Sequence, residues 1–178
     1  MAKVVLVTGG SRSGKSSYAQ RLAEAMDGPR AFLATCPVVD DEMDARIRKH
    51  RDARSEADWD TIEETIDLAG AIRNACKYSV VLVDCLTLWI NNLMYDSEQK
   101  GEQVTESDIV RTCENILDAC SSRSGTVIFV TSEVGMGIVP GDPVSRRYRD
   151  LVGTCSQAIA AAADSVTLVV CGIPMQLK

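Results

Sequence analysis

The sequence predicts an α/β fold, with a mainly parallel central sheet and helices on both of its faces. Three observations carry that expectation. Apolar, β-branched runs recur at Val4–Thr8, Ala31–Thr35, Val80–Asp84, Val127–Thr131 and Val166–Cys171. Their apolar character is continuous rather than alternating, as in strands covered on both faces. The segments between them are long enough for the crossover helices that parallel neighbours require. The chain has 178 residues, 46% of them hydrophobic, so a single domain over 1–178 with a sizeable core is expected.

The first strand runs into "GGSRSGKSS" and a helix over Lys15–Met26. Further helices are expected at Asp40–Arg54, Glu64–Lys77, Leu86–Tyr95, Glu106–Ser121 and Val144–Ala163. The polar stretch "YDSEQKGEQVTESD" (95–108) reads as an exposed loop before a helix capped by Thr105 or Ser107. In the last helix, "AIAAAAD" offers small residues for close packing on the sheet.

Composition narrows the function classes. A net charge of −6 argues against a general nucleic-acid binder, which needs surplus Lys and Arg. The opening "KVVLVTGG" lacks the features of a secretory signal, and no apolar run is long enough to span a bilayer. Seven cysteines form no C-x-x-C pair, and ligand pairs for zinc are absent. A reduced, cytoplasmic chain with mostly buried thiols is expected.

Gly9, Gly10, Ser11, Arg12, Ser13, Gly14, Lys15 and Ser16 match G-x-x-x-x-G-K-[ST] in full. The match follows an apolar strand and opens a helix, as its mechanism requires. Glycines let successive backbone N–H groups converge on phosphates, and the helix N-terminus adds partial positive charge. Lys15 then bridges the outer phosphates and the Ser16 hydroxyl is a ligand for Mg²⁺. These features make the expected fold P-loop NTPase-like. Asp84, ending "VVLVDC", is the candidate second metal-side acid; its alternative is a cap on the following helix. Arg12 either adds charge near the phosphates or is solvated.

The only histidine, His50, lies in "RIRKHRDAR" among five basic residues. A helix over Asp40–Arg54 puts acids in its first turn and bases toward its end, complementing the macrodipole. Met43, Ile47 and His50 then share one side, with Arg46 and Arg54 flanking His50 at i±4. Nearby cations disfavour imidazolium and leave a neutral ring nitrogen able to attack phosphorus. General-base and structural roles compete with that reading.

"GGSRSGKSSYA", "ATCPVVDDEMDARIRKHRDAR", "LVDCLTLWINNLM", "TSEVGMGIVP" and "AIAAAADSVTLVVCGIPMQLK" occur in order. Together they resemble the bifunctional adenosylcobinamide kinase / adenosylcobinamide-phosphate guanylyltransferase family of cobalamin biosynthesis. The resemblance covers nearly the whole chain. It implies phosphorylation of adenosylcobinamide with ATP or GTP, then transfer of GMP from GTP to adenosylcobinamide phosphate, giving adenosylcobinamide-GDP. It implies His50 as the covalent GMP carrier and a homotrimeric assembly. It also implies nucleotide contacts from the Gly9–Ser16 loop, from Ala34, Thr35 and Cys36, and from Arg51, Asp52, Ala53 and Arg54. Asp84 matches the family's acidic position on the third strand, and Glu63 the acid after a tryptophan, with Ile62 or Glu64 as the alternative equivalent.

The sequence departs from the family pattern in two places. "RSEADWDTIEE" holds one extra residue and lacks a proline, and "GTCSQ" lacks an Arg and an Asn. No N-K-x-D motif explains guanine choice. "SEVGMGIVPGDP" (132–143) is either a substrate loop, with Glu133 near the acceptor, or an ordinary connection. Arg146, Arg147 and Arg149 are candidates for a corrinoid, phosphate or subunit contact or a solvated face, and Asn91 and Asn92 for polar contacts. The rival readings are a plain P-loop small-molecule kinase and a non-catalytic nucleotide-dependent binding module.

Overall fold

A computed structural model describes residues 1–36 and 59–178 of the chain. Among the described residues, seven strands form one sheet: β1 (Lys3–Thr8), β2 (Arg30–Ala34), β3 (Trp59–Glu63), β4 (Val80–Asp84), β5 (Thr126–Val130), β6 (Ser165–Val170) and β7 (Ile173–Gln176). Their spatial order is β3-β2-β4-β5-β1-β6-β7. All neighbours pair in parallel except β7, which runs antiparallel to β6. The described helices are α1 (Lys15–Glu24), α2 (Leu68–Asn74), α3 (Leu86–Gln99), α4 (Glu106–Ser121) and α5 (Pro143–Ala162). The expected α/β architecture is therefore the observed one.

Alternate strand residues feed two separate cores, which explains the continuously apolar runs. Val5, Val7, Phe32, Leu82, Ile128 and Val130 meet Ala19 and Ala23 of α1. Val4, Leu6, Leu33, Val81, Val83 and Phe129 face the other way, toward Ile72, Trp89, Ile116 and Ile159 of α2 to α5. Among the described residues, one helix thus covers one face and four cover the other.

The differences from expectation have local causes. Helix α3 continues beyond Tyr95 to Gln99, into the polar stretch that the sequence predicts as loop. An Asp96–Lys100 ion pair at i,i+4 (2.5 Å) accompanies its last turn, and Gly101, at φ 72°, turns the chain out of the helix. Thr105 rather than Ser107 caps α4: its hydroxyl accepts from Asp108 N–H while the Asp108 carboxylate accepts from Thr105 N–H. Helix α2 is shorter than Glu64–Lys77. Glu64 accepts from Ile66 and Asp67 N–H (2.8 and 2.9 Å), which holds a turn until Asp67 caps the helix at Gly70.

Two strands were not anticipated. β3 reads W-D-T-I-E, whose two apolar residues are three apart, so no alternation marks it. The β2 ladder recruits it, and Trp59 packs edge-on against Phe32 with ring centroids 6.4 Å apart. β7 contains Pro174, which an edge strand tolerates and a central one does not.

Cys85, Cys113, Cys120 and Cys155 are buried, Cys36 is half-buried, and Cys76 and Cys171 are exposed. Burial, with the Asp84 charge adding to it, pushes the Cys85 thiol up to about 11. Burial pushes Cys120 up to about 12. No helix of the described residues is long and apolar enough to cross a membrane.

Iodoacetamide at neutral pH is expected to label Cys76 and Cys171 in the native protein. Cys85, Cys113, Cys120 and Cys155 should react only after denaturation, as peptide mass mapping will show. Phe129→Ala, at a fully buried position, is expected to cost about 3–5 kcal/mol in urea unfolding. Val110→Ala on the exposed side of α4 should stay within about 0.5 kcal/mol.

Candidate active site

The loop between β1 and α1 is shaped by close approaches that exclude side chains. A Cβ on Gly9 would lie 2.6 Å from Ser13 Oγ and closer still to the Val169 carbonyl. Gly14 has φ 91°, where a Cβ would meet Gly172 Cα at 3.2 Å. Glycine is therefore required at both ends of the loop. Between them, Ser13 N–H donates to Gly10 O (3.2 Å), and Gly172 N–H donates to Ser13 O (2.8 Å). The turn joining β6 to β7 thus braces the loop from outside.

Gly14 is the N-cap of α1 and offers no side-chain acceptor, so no capping side chain occupies the first-turn N–H groups. Lys15 lays its ammonium on Gly10 O (3.1 Å), across the loop it serves. Ser16 is half-buried beside it, while Ser11 and Arg12 are exposed, Arg12 at φ 55°. Ser13 Oγ is buried and has no hydrogen-bond partner among the described residues.

Strand register builds the second part of the site. Ala34 of β2 stands opposite Glu63 of β3 on one side and Asp84 of β4 on the other. Asp84 in turn stands opposite Val130, and Val130 opposite Val7. Residues in one such row project to one face. Because Val7, Val130 and Ala34 pack into the α1 core, that face is the one carrying α1. Asp84 and Glu63 are thereby set on either side of β2, at the sheet edge where the phosphate loop opens. Asp84 is half-buried and Glu63 exposed. The N-cap of α3 is Cys85, so Asp84 does not occupy the capping position that competed for it.

Thr35 locks this edge. Its hydroxyl donates to Cys85 O (2.8 Å) and accepts from Cys85 N–H (2.7 Å), while Thr35 N–H donates to Asp84 O (3.3 Å). Asn92 on α3 donates to Thr35 O (2.7 Å) and Thr65 O (3.2 Å). The Thr35 hydroxyl is thus committed to the backbone just after Asp84, and Asn92 is a buried strut, while Asn91 is exposed. The sequence signal for the strut is faint: Asn92 lies one turn after Trp89, on the buried side of α3. Cys36 follows, half-buried.

The segment 132–143 begins and ends on fixed points. Glu133 N–H donates to Gly9 O (3.0 Å), and the Glu133 carboxylate accepts from Gly135 N–H (2.6 Å). At the far end Asp142 caps α5 at Ser145 N–H (2.8 Å), and Arg146 donates to Pro140 O and Gly141 O (2.9 and 2.6 Å). His50, Arg51, Asp52, Ala53 and Arg54, with the helix expected over Asp40–Arg54, lie outside the described residues.

A glycine loop between a parallel strand and its helix, with an acid ending a nearby strand, defines a P-loop nucleotide-binding α/β protein. The fold agrees with a solved structure of a prototypical ATPase from the type III secretion system of pathogenic bacteria. That match has a TM-score of 0.59 at 12% identity and covers 93% of this chain but half of that one.

Residues 5–177 match the family model described as cobinamide kinase / cobinamide phosphate guanyltransferase, and the chain belongs to that family. Its relatives include the bifunctional adenosylcobalamin biosynthesis protein CobP of Pseudomonas aeruginosa, 41% identical, with 97% of this chain and 96% of that protein covered. CobU proteins with the same bifunctional description from Escherichia coli and Salmonella typhimurium are 40% and 39% identical, each covering 98% of this chain and 99% of their own length.

Thr35→Val removes a donor and an acceptor from a buried site, leaving the Cys85 N–H unpaired and its C=O with only the Trp89 N–H. Urea unfolding is expected to register a loss of about 2 kcal/mol or more. Thr35→Ser, which keeps the hydroxyl, should recover most of it.

Proposed function

We propose that this chain phosphorylates the alcohol of adenosylcobinamide with ATP or GTP and then transfers GMP from GTP to adenosylcobinamide phosphate. The observation that carries the reading is the family match over residues 5–177, coinciding with an intact phosphate loop beside Asp84. The single domain over 1–178 then serves both reactions, as a cytoplasmic homotrimer. Its acidic net charge favours a small-molecule acceptor over nucleic acid.

In the kinase step, the backbone amides of Gly9–Ser16 and the α1 N-terminus hold the phosphates, and Lys15 meets the outer ones. The acceptor hydroxyl attacks the γ-phosphorus and the nucleoside diphosphate leaves. Positioning and charge stabilisation supply most of the catalysis. Ser16 and Asp84 offer two hard oxygen donors, a set that suits Mg²⁺, which keeps waters and takes phosphate oxygens as its other ligands. When bound there, Mg²⁺ would neutralise charge on the phosphate oxygens.

In the transfer step, the neutral His50 nitrogen attacks the α-phosphorus of GTP. An N–P bond forms, the bond to the β-phosphate oxygen breaks, and pyrophosphate leaves. A phosphate oxygen of the acceptor then displaces His50 from the same phosphorus, giving adenosylcobinamide-GDP. Ala34, Thr35, Cys36 and Arg51 to Arg54 line the nucleotide in this reading. Thr35 serves by holding the strand end, and Glu63 stands across β2 from Asp84.

Assays with adenosylcobinamide and with its phosphate, run separately, test the two steps. His50→Asn is expected to abolish guanylyl transfer and spare the kinase. Wild-type protein incubated with labelled GTP should retain acid-labile, alkali-stable label after denaturation. Lys15→Ala should lower both activities by about a hundredfold or more. Kinase turnover without any retained label or transfer would leave a plain P-loop kinase.

A further inference from the structure

The segment after β5 exposes large apolar side chains that no described element covers. Met136 is 82% exposed, Ile138 96% and Val139 61%. Isolated exposed apolar residues are ordinary, but three within four positions on one projecting loop form a patch. The patch is held in place from both sides. Its base is bonded to Gly9 of the phosphate loop, and its end is fixed by the Asp142 cap and the Arg146 bonds to Pro140 and Gly141.

Beyond it, an open groove of about 370 Å³ lies between the start of α5 and the start of α4. Its polar lining comprises Gln103, Thr105, Glu106, Arg146, Arg147 and Asp150. This lining mixes hydrogen-bond donors and acceptors of both charges.

We infer that the Met136–Val139 loop and this groove form the acceptor-binding surface for the corrinoid. The inference rests on the function proposed above, which requires a bulky acceptor to bring a hydroxyl, then a phosphate, to a nucleotide held by Gly9–Ser16. The acceptor's bulk must therefore lie beside that loop, and the apolar segment is tied to it through Gly9. A corrinoid pairs a broad apolar macrocycle with a rim of carboxamides. The exposed Met, Ile and Val side chains suit the macrocycle face. Carboxamides both donate and accept, so Arg146, Arg147 and Asp150 of α5 with Glu106 of α4 suit the rim. An anionic ligand would instead meet two carboxylates in the same groove.

The test uses M136S/I138S, both exposed positions, and Asp150→Ala as an independent change in the groove. Equilibrium dialysis measures adenosylcobinamide binding without turnover, and steady-state kinetics measures acceptor KM in both reactions. M136S/I138S is expected to weaken acceptor binding and raise acceptor KM at least about tenfold, with kcat at saturation and affinity for a fluorescent GTP analogue little changed. Asp150→Ala should raise acceptor KM by a smaller factor. Wild-type acceptor affinity in both variants would overturn the inference, as would a loss of self-association in light scattering with acceptor binding unchanged, which makes the loop a contact between copies. Wild-type protein that binds adenosylcobinamide without turning it over would defeat the functional reading alone. Wild-type protein that does not bind it would defeat both.

Discussion

Backbone pairing between β2 and β4 places Ala34 opposite Asp84, and pairing between β2 and β3 places the same Ala34 opposite Glu63. The rest of the candidate site depends on this register. A shift of one residue would turn both acids to the opposite face, away from α1 and the phosphate loop. The Thr35 hydroxyl grips both backbone polar groups of Cys85 one step beyond the row. It fixes the two strand ends against each other where ordinary ladder bonds run out. Asn92 extends the same grip to α3 and to the chain after β3, so the ends of β2 and β4, α3 and the chain after β3 share one set of hydrogen bonds.

Much of this was legible in the sequence because the strong signals are local. The five continuous apolar runs mark the buried strands, and the G-x-x-x-x-G-K-S spacing marks the loop, since both need particular residue types at fixed offsets. Trp59–Glu63 carried no such mark: it is an edge strand, exposed at Asp60, Thr61 and Glu63, and takes its conformation from its neighbour's ladder. The end of helix α3 is hidden in the sequence because its polarity resembles that of a loop, whereas Glu98 and Gln99 lie on an exposed helical turn. The Thr35–Cys85–Asn92 set was illegible for a different reason. Its members lie up to 57 residues apart, and each taken alone is an unremarked polar residue beside apolar ones.

The acids and the thiols illustrate how one environment produces opposite outcomes. Asp84 ends its strand at a half-buried position, where a carboxylate retains access to a ligand. Cys85, the next residue, points into the core, where burial and its neighbour's negative charge together keep the thiol protonated. A single step along the chain therefore separates a half-buried carboxylate from a buried thiol held protonated.

The hydrogen bond from Gly172 to Ser13 gives the far end of the chain a stake in the near end. The hairpin of β6 and β7 is more than a sheet margin: it is a doorstop against the anion cradle. Shortening the chain to remove β7, or crowding that margin with a fused tail, would slacken the cradle from behind while leaving every phosphate-facing residue in place. The shape of that cradle thus leans on a hairpin from the opposite end of the sequence.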